Sequence, residues 1–535
     1  MRRRSLVLAS VVSCVLCVSC SSATAPATGN VDQLTIAVPS GQGPLNIFVQ
    51  NDEQLTYLVY DKLVEPSAWV PDPRPGLAES VREVDPLTWD VTVRDGIRWQ
   101  DGQPFTVDDV AFTIDYFKKA PTGRWTHHIS EVPTISAVAP AGPRTLRISC
   151  AFACPYLGSI TLADLPIIPK HVWQGVTDPN TRDGLPVGTG PYRLVSFQAD
   201  QGYRFEANTD YFGGIPRVSR LNMPIIKDPS TTFTALRTGE IDAAVRPVPP
   251  ELVNQFRTTS GIALQSYPPL GFPQLVLNYQ RAPFDNPAVR HALNLGIDRR
   301  QLLDTVWLSQ GKPADRGYAY PDSPWTDPTL RSPYDPVAAR AALDEAGVRD
   351  RNGDGVRRTP DGKPIAFSVT VAGTEPTQIR AAELLADQFR GLGLRATVQR
   401  VDAGAVTGLN TSRDFDTYVN TIGAHGVADP TQFFMSHLSG YLWNLKKIPY
   451  PAFDALFTQW KAATTLDAGK KILFQAQQLF NQAPTAIPLV YPEGQFAYRP
   501  GRLDGWVPSP GIDVVNKWSL LTARPGQELP VPRQR

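Results

Sequence analysis

The chain has 535 residues, with 52 Lys and Arg against 51 Asp and Glu, a formal net charge of +1. That length exceeds one compact core, so two or three domains are expected, and 42% hydrophobic with 9% aromatic residues exclude wholesale disorder. The near-zero charge argues against bulk attraction to nucleic-acid phosphates or anionic lipid, and 51 prolines beside 40 glycines exclude a helical bundle or coiled coil.

The first twenty residues read as an export signal. Arg2, Arg3 and Arg4 form a basic start, and Ser5 to Ser19 an apolar run too short and too interrupted to span a bilayer. The run ends Leu16-Cys17-Val18-Ser19-Cys20, which resembles a bacterial lipobox and implies lipidation of Cys20. Cys14, after Val11-Val12-Ser13, is a second candidate, ordinary secretion with cleavage nearby is the alternative, and Arg3-Arg4 also fits twin-arginine export. The small polar residues from Ser21 suit a flexible tether. No later segment reaches about 18 consecutive apolar residues, so the mature protein is expected outside the cytoplasmic membrane, anchored to it by lipid.

Past the tether, Leu34 to Val38 and Trp89 to Val93 read as strands. Val91, Val93, Ile97 and Trp99 flank Arg94-Asp95-Gly96 in alternating apolar positions, as in a hairpin whose turn uses Gly96. Thr106-Val107-Asp108-Asp109 is a capping start for a helix from Val107 to Lys119, with Val110, Phe112, Ile114 and Phe117 supplying its apolar face. In an exported chain Cys150 and Cys154 form a local disulfide or stay as buried thiols, and a zinc site would want more Cys or His nearby. Gly188-Thr189-Gly190-Pro191 is too short and too proline-stopped to cradle phosphate and reads as a structural turn. Strands are expected at Tyr203 to Phe205, Gln274 to Asn278 and Phe367 to Val371. Helices are expected at Thr231 to Thr238, Pro287 to Leu295, Arg299 to Leu308, Val337 to Ala346, Thr377 to Leu392 and Asp467 to Asn481. Asn286-Pro287 and Asp335-Pro336 pair an N-cap with proline at the first helical position. The mixture defines an α/β chain.

Asp350-Arg351-Asn352-Gly353-Asp354-Gly355, with Asp361 at the twelfth loop position, matches much of a calcium loop through Asp350, Asn352, Asp354 and Asp361. A strand rather than a second helix follows, and a turn-rich connection explains the same residues, so no metal is expected. There is no His-Glu-x-x-His, Gly-x-Ser-x-Gly or Walker-type loop, and the six histidines are scattered except His127-His128. Neither an enzyme nor a cofactor is expected.

Leu77-Ala78-Glu79-Ser80, Leu87 to Trp99, Asp101-Gly102 and Thr106 to Val110 together resemble the signature of the family 5 extracytoplasmic solute-binding proteins, which serve peptide and nickel ABC importers. Later blocks follow in the family's order: Gly188 to Tyr192, Asp210 to Gly214, Leu236 with Gly239-Glu240-Ile241-Asp242, Asn278, and Pro287 to Asp298. The resemblance implies a two-lobed, periplasmic-binding-protein-like (type II) α/β fold with an extra inserted domain. Behind a signal at 1–20 and a tether at 21–32, domain I would gather 33–73, 186–265 and 486–535, domain II would be 74–185, and domain III 266–485. The implied function is a substrate-binding lipoprotein that captures an oligopeptide or similar small solute between the lobes. It would deliver that solute to permease subunits working with cytoplasmic ATPases. An envelope regulator or scaffold that keeps the fold, and a glycan- or metal-specific binder, are the alternatives.

Positions matching the family's cleft are Gln50, Asn51 and Asp52 after the first strand, Gly271, Phe272 and Gln274 leading to Asn278, and Tyr491 after Ile487-Pro488-Leu489. Ala428 to Phe433 resembles a block in which peptide-binding members commonly carry an aspartate four residues before the proline, and here that position is Gly426, preceded by His425. A largely neutral imidazole does not replace a fixed carboxylate as counter-charge for an ammonium group. The change favours blocked peptides, glycans or other neutral ligands. Asp429 either substitutes by a register shift or caps the helix near Pro430. Trp443 offers a broad face for stacking or sits in the core.

Overall fold

The structure, a computed structural model, describes residues 31–521 apart from 42, 50–52, 66–73, 120–134, 270, 319, 324, 423–432, 435–437, 440–449 and 510–512. A seven-stranded sheet runs in the order Ala263–Tyr267, Gly494–Tyr498, Ala243–Ala244, Val31–Ala37, Val218–Pro224, Gly202–Ala207 and Tyr192–Gln198. The strand Val31–Ala37 lies parallel to both its neighbours, and the remaining pairings are antiparallel. Alternate residues point inward, as the two-residue period of a strand requires: Leu34 and Ile36, Tyr203 and Phe205, and Leu221 and Met223 are all buried.

A four-stranded antiparallel sheet orders Ala78–Asp85, Thr88–Val93, Thr145–Cys150 and Ile135–Gly142. The helix Val107–Lys119 buries Val110, Ile114 and Phe117. Its start is a reciprocal cap: Asp109 Oδ2 accepts from the Thr106 N–H at 2.9 Å and Thr106 Oγ1 accepts from the Asp108 N–H at 3.3 Å. The other Asp109 oxygen accepts from the Lys170 N–H at 2.9 Å and so ties the helix Lys170–Trp173 to it. One continuous apolar core, from Leu34 and Tyr203 through Val91 and Trp99 to Phe117, joins these two sheets into a single lobe.

The expected hairpin at Arg94-Asp95-Gly96 does not form. Gly96 does take a positive φ of 73°, but the strand ending at Val93 pairs with Ala78–Asp85 and Thr145–Cys150 instead. Both of its edges are therefore occupied, and Ile97 and Trp99 bond to Phe105 and Gln103 in a tight loop of their own.

A five-stranded sheet in the order Arg395–Val401, Ala366–Ala372, Thr417–Ile422, Phe272–Leu277 and Ala486–Pro488 forms the second lobe. The helices Pro287–Leu295, Arg299–Val306, Pro336–Glu345 and Pro376–Gly391 bury one core with it. Asn286 accepts from the Ala288 N–H at 2.9 Å, and Asp335 from the Val337 and Ala338 N–H groups at 3.1 and 2.8 Å, as their sequence positions predict.

The chain crosses between lobes after Tyr267 and returns before Gly494. The return lies later than the expected 485/486 boundary, because Ala486–Pro488 pairs with Phe272–Leu277 and Val490–Pro492 pairs with Gly311–Pro313. The first crossing is likewise later than 265/266, since Gln265, Ser266 and Tyr267 still pair with Gly494–Tyr498. The two crossings run side by side, and a Cβ on Gly494 would stand 2.4 Å from the Tyr267 ring. At Gly188 a Cβ would stand 1.9 Å from the Val59 carbonyl oxygen, so this turn accepts only glycine.

Candidate solute site between the lobes

Phe272, Gln274 and Tyr491 gather where the crossings enter the second lobe, with Gly271 directly before them. The Phe272 ring meets Tyr491 edge-on at 5.7 Å and Tyr318 at 5.4 Å, and Tyr320 approaches Tyr491 at 5.6 Å. Gln274 Oε1 accepts from the Tyr318 hydroxyl at 3.0 Å, and its Nε2 donates to Asn420 Oδ1 at 3.1 Å. The half-buried Asn420 ends this polar chain. Tyr491 is fully enclosed and its hydroxyl donates to the Gly317 carbonyl, so it backs the wall.

Burial holds the Tyr318 hydroxyl well above the usual phenol range. It pushes Tyr320 up to about 12, with Asp322 and Glu493 adding to the effect. The described wall is thus neutral, aromatic and amide-bearing at physiological pH. It can stack on flat groups and exchange hydrogen bonds with amides or hydroxyls.

Asn278 does not belong to this wall. It follows the far end of the strand Phe272–Leu277, about 20 Å along from Phe272, and its amide donates to the Arg413 and Phe415 carbonyls at 3.1 and 2.7 Å. Gln50, Asn51, Asp52, His425, Gly426, Asp429 and Trp443, with Cys14, Cys20 and the pair His127-His128, lie outside the described residues. Tyr318, Tyr320 and Asn420 were not anticipated. The only sequence signal for the tyrosines is an aromatic pair in a stretch without strand or helix period, Gly317 to Pro321.

The calcium-like loop is internally satisfied. Asp350 accepts from the N–H groups of Asn352, Gly353 and Gly355 at 3.2, 2.8 and 2.8 Å, and Asp354 takes a two-point bond from Arg358 at 2.9 and 2.6 Å. The Arg358 pairing first, and then the Val356 N–H, hold Asp354 well below the usual carboxylate range. Asp361 accepts from Thr359. No cluster of three or more His, Cys, Asp or Glu that could hold a metal ion occurs among the described residues.

Cys150 and Cys154 form a disulfide with a Cα separation of 6.4 Å. The lobes meet beyond the crossings as well: Gln310 Nε2 donates to the Pro250 carbonyl at 3.0 Å, Arg380 lies 3.7 Å from Glu251, and Tyr156 stacks on Trp460 at 4.7 Å. A cavity of about 270 Å³ opens beside the stack, lined by Trp89, Pro155, Gly158 and Ser159 of the first lobe and Leu466 of the second. Among the described residues, no helix is long and apolar enough to cross a membrane.

Two lobes joined by two adjacent crossings define the fold of periplasmic binding proteins. The solved structure of the oligopeptide-binding protein AppA from Bacillus subtilis, in complex with a nonapeptide, superposes with a TM-score of 0.75 at 22% identity, covering 89% of this chain and 97% of that one. Residues 72–444 match the family model for bacterial extracellular solute-binding proteins, family 5, and the chain belongs to that family. Protein XP55 of Streptomyces lividans is 30% identical over 330 residues, 61% of this chain and 59% of that protein. AppA itself is 26% identical over 471 residues, 83% of each chain. The nickel-binding periplasmic protein of Escherichia coli is 28% identical over 374 residues, 68% of this chain and 70% of that one.

Proposed function

We propose that the chain is the solute-capturing subunit of an ABC importer, held outside the cytoplasmic membrane by lipid on Cys20. It captures an oligopeptide or a similarly elongated small solute between its lobes and hands it to a membrane permease. The observation that carries this reading is the neutral wall at the crossings, where Tyr318, Gln274 and Asn420 form a hydrogen-bonded chain among aromatic rings. Amide partners suit a peptide backbone, and rings suit its side chains without fixing their identity. Family membership over residues 72–444 and the likeness to AppA support the same reading. The proposed role is capture and release of an unaltered solute, in keeping with membership of an extracellular solute-binding family.

Native mass spectrometry of the mature protein from its own host, followed by a thermal-shift screen, tests the proposal. The screen contains free and N-acetylated peptides, oligosaccharides and metal ions. A solute that binds the folded state raises the melting temperature, and the rise grows with the logarithm of its concentration above Kd. Stabilisation by peptides supports the reading, stabilisation by glycans or metal alone redirects it, and a folded protein stabilised by nothing in a broad panel removes it.

A further inference from the structure

Directly after the disulfide Cys150–Cys154, Tyr156 reaches from the first lobe into the second. The turn that presents it is fixed on several sides: the Cys150 N–H donates to the Leu87 carbonyl at 2.8 Å, the Cys154 N–H to the Pro86 carbonyl at 2.9 Å, and the Trp89 indole N–H to the Cys154 carbonyl at 3.2 Å. On the opposite lobe the Tyr156 ring stacks on Trp460 at 25° and lies 5.9 Å from Trp325. It enters a notch in the helix Leu466–Gln482, where a Cβ on Gly469 would stand 1.6 Å from the Tyr156 hydroxyl oxygen. Lys461 Nζ lies 5.7 Å from the Phe152 ring of the same turn.

This contact is tight in shape but incomplete in hydrogen bonding. The Tyr156 hydroxyl and the indole N–H groups of Trp460 and Trp325 are buried with no hydrogen-bond partner among the described residues. Burial drives the Tyr156 hydroxyl well above the usual phenol range; the Trp460 indole N–H faces it closely enough to moderate that rise but does not complete a hydrogen bond to it. Unpartnered buried polar groups oppose the contact, and water satisfies them once the lobes part. Stacking and the notch favour closure while the unspent polar groups favour opening. Three such groups meeting at one point make this contact costlier than one that is fully hydrogen-bonded.

We infer that Tyr156, seated in the Gly469 notch against Trp460, is the catch of a reversible latch between the lobes, and that its unpartnered hydroxyl keeps the latch weak. The inference rests on the reading of the chain as a protein whose lobes open and close. Its test needs no solute, so failure to find a ligand does not bear on it.

Spin labels at exposed Glu83 on the first lobe and Glu345 on the second report the open and closed populations of the ligand-free mature protein by pulsed dipolar spectroscopy. Gly469→Ala blocks the notch and is expected to raise the ratio of open to closed molecules at least tenfold. Tyr156→Phe keeps the ring and removes the unpaired hydroxyl, and is expected to lower that ratio about fivefold, the order of one relieved buried polar group. The opposite signs separate a latch from general damage, and if Gly469→Ala does not fold, Tyr156→Phe alone decides. An unchanged population in a folded variant, or opening by Tyr156→Phe, overturns the latch.

Discussion

Lys517 Nζ lies 2.6 Å from Asp61 Oδ1 and 2.5 Å from Glu65 Oε1, all three side chains being almost fully buried. Asp61 also accepts from the Tyr211 hydroxyl at 3.0 Å and from Thr189 at 2.9 Å. The helix Lys517–Leu521 is thereby tied to the segment after the helix Glu53–Val59 and to the turn at Gly188. Lys517→Met strands two carboxylates in the core, so chemical denaturation should show a loss of about 3–5 kcal/mol.

The same cluster sets an alkaline limit. Burial opposes the charge on Lys517, but Asp61 and Glu65 outweigh it, and its pKa rises well above 10.5. Burial and then Asp61 raise Tyr211 well above 10.0. Both groups hold their protons more tightly folded than unfolded, so their contribution is complete below about pH 10 and is lost as pH rises through the folded values. Melting temperature measured against pH should fall above pH 10 in the wild type and fall less steeply in Lys517→Met.

Gly188→Ala should be among the most disruptive single-methyl changes in the chain. The added carbon meets the Val59 backbone carbonyl rather than a movable side chain, and overpacking of that kind costs about 3 kcal/mol or more. Gly175→Ala is the matched control, because a Cβ there meets nothing within 4 Å. Parallel thermal melts should separate the two clearly; equal melts would contradict the close approach.

The disulfide spans a sequence separation of only 4. Closing so short a loop restrains the unfolded chain by about 2 kcal/mol. Reduction, or Cys150→Ser with Cys154→Ser, should lower stability by that order and leave the circular dichroism of the folded state unchanged.

At the candidate site, Tyr320→Ala removes a half-buried ring that touches Tyr491. Calorimetry with a co-purified solute should show affinity weakened about threefold to tenfold, the range of one aromatic contact. Tyr334→Ala, at a ring 50% exposed elsewhere on the second lobe, should leave affinity unchanged.

Calcium and chelator should leave the melting temperature unmoved. Asp350 and Asp354 are already occupied by backbone N–H groups and by Arg358, so a cation would have to displace those bonds. A calcium-dependent rise in a melting scan would show that the loop opens to admit the ion.

Local signals carried the sequence reading furthest. The reciprocal cap at Thr106 and Asp109 and the Asn286 and Asp335 caps each depend on residues two or three positions apart, and each forms as read. Gly96 shows where local reasoning stops, since the alternation around it was real but both edges of its strand were taken by distant partners. The site follows the same rule. Tyr318 reaches Gln274 across 44 residues and Gln274 reaches Asn420 across 146, distances over which no periodicity operates. Asn278 matches a family cleft position, yet it follows the far end of the strand Phe272–Leu277, and its amide is spent on the Arg413 and Phe415 carbonyls.

The seven-stranded sheet also has a consequence for synthesis and export. Its strand Ala243–Ala244 lies between Val31–Ala37 and Gly494–Tyr498. A chain delivered from its N-terminus can complete the second lobe before residue 494 emerges, because that lobe's strands fall within 272–492. Until then the first lobe presents an open strand edge, the kind of surface that recruits other chains. The last strand therefore acts as a seal as well as a return, and truncation before residue 494 should yield a species with one finished lobe and one sticky edge, prone to aggregation in the compartment where it is released.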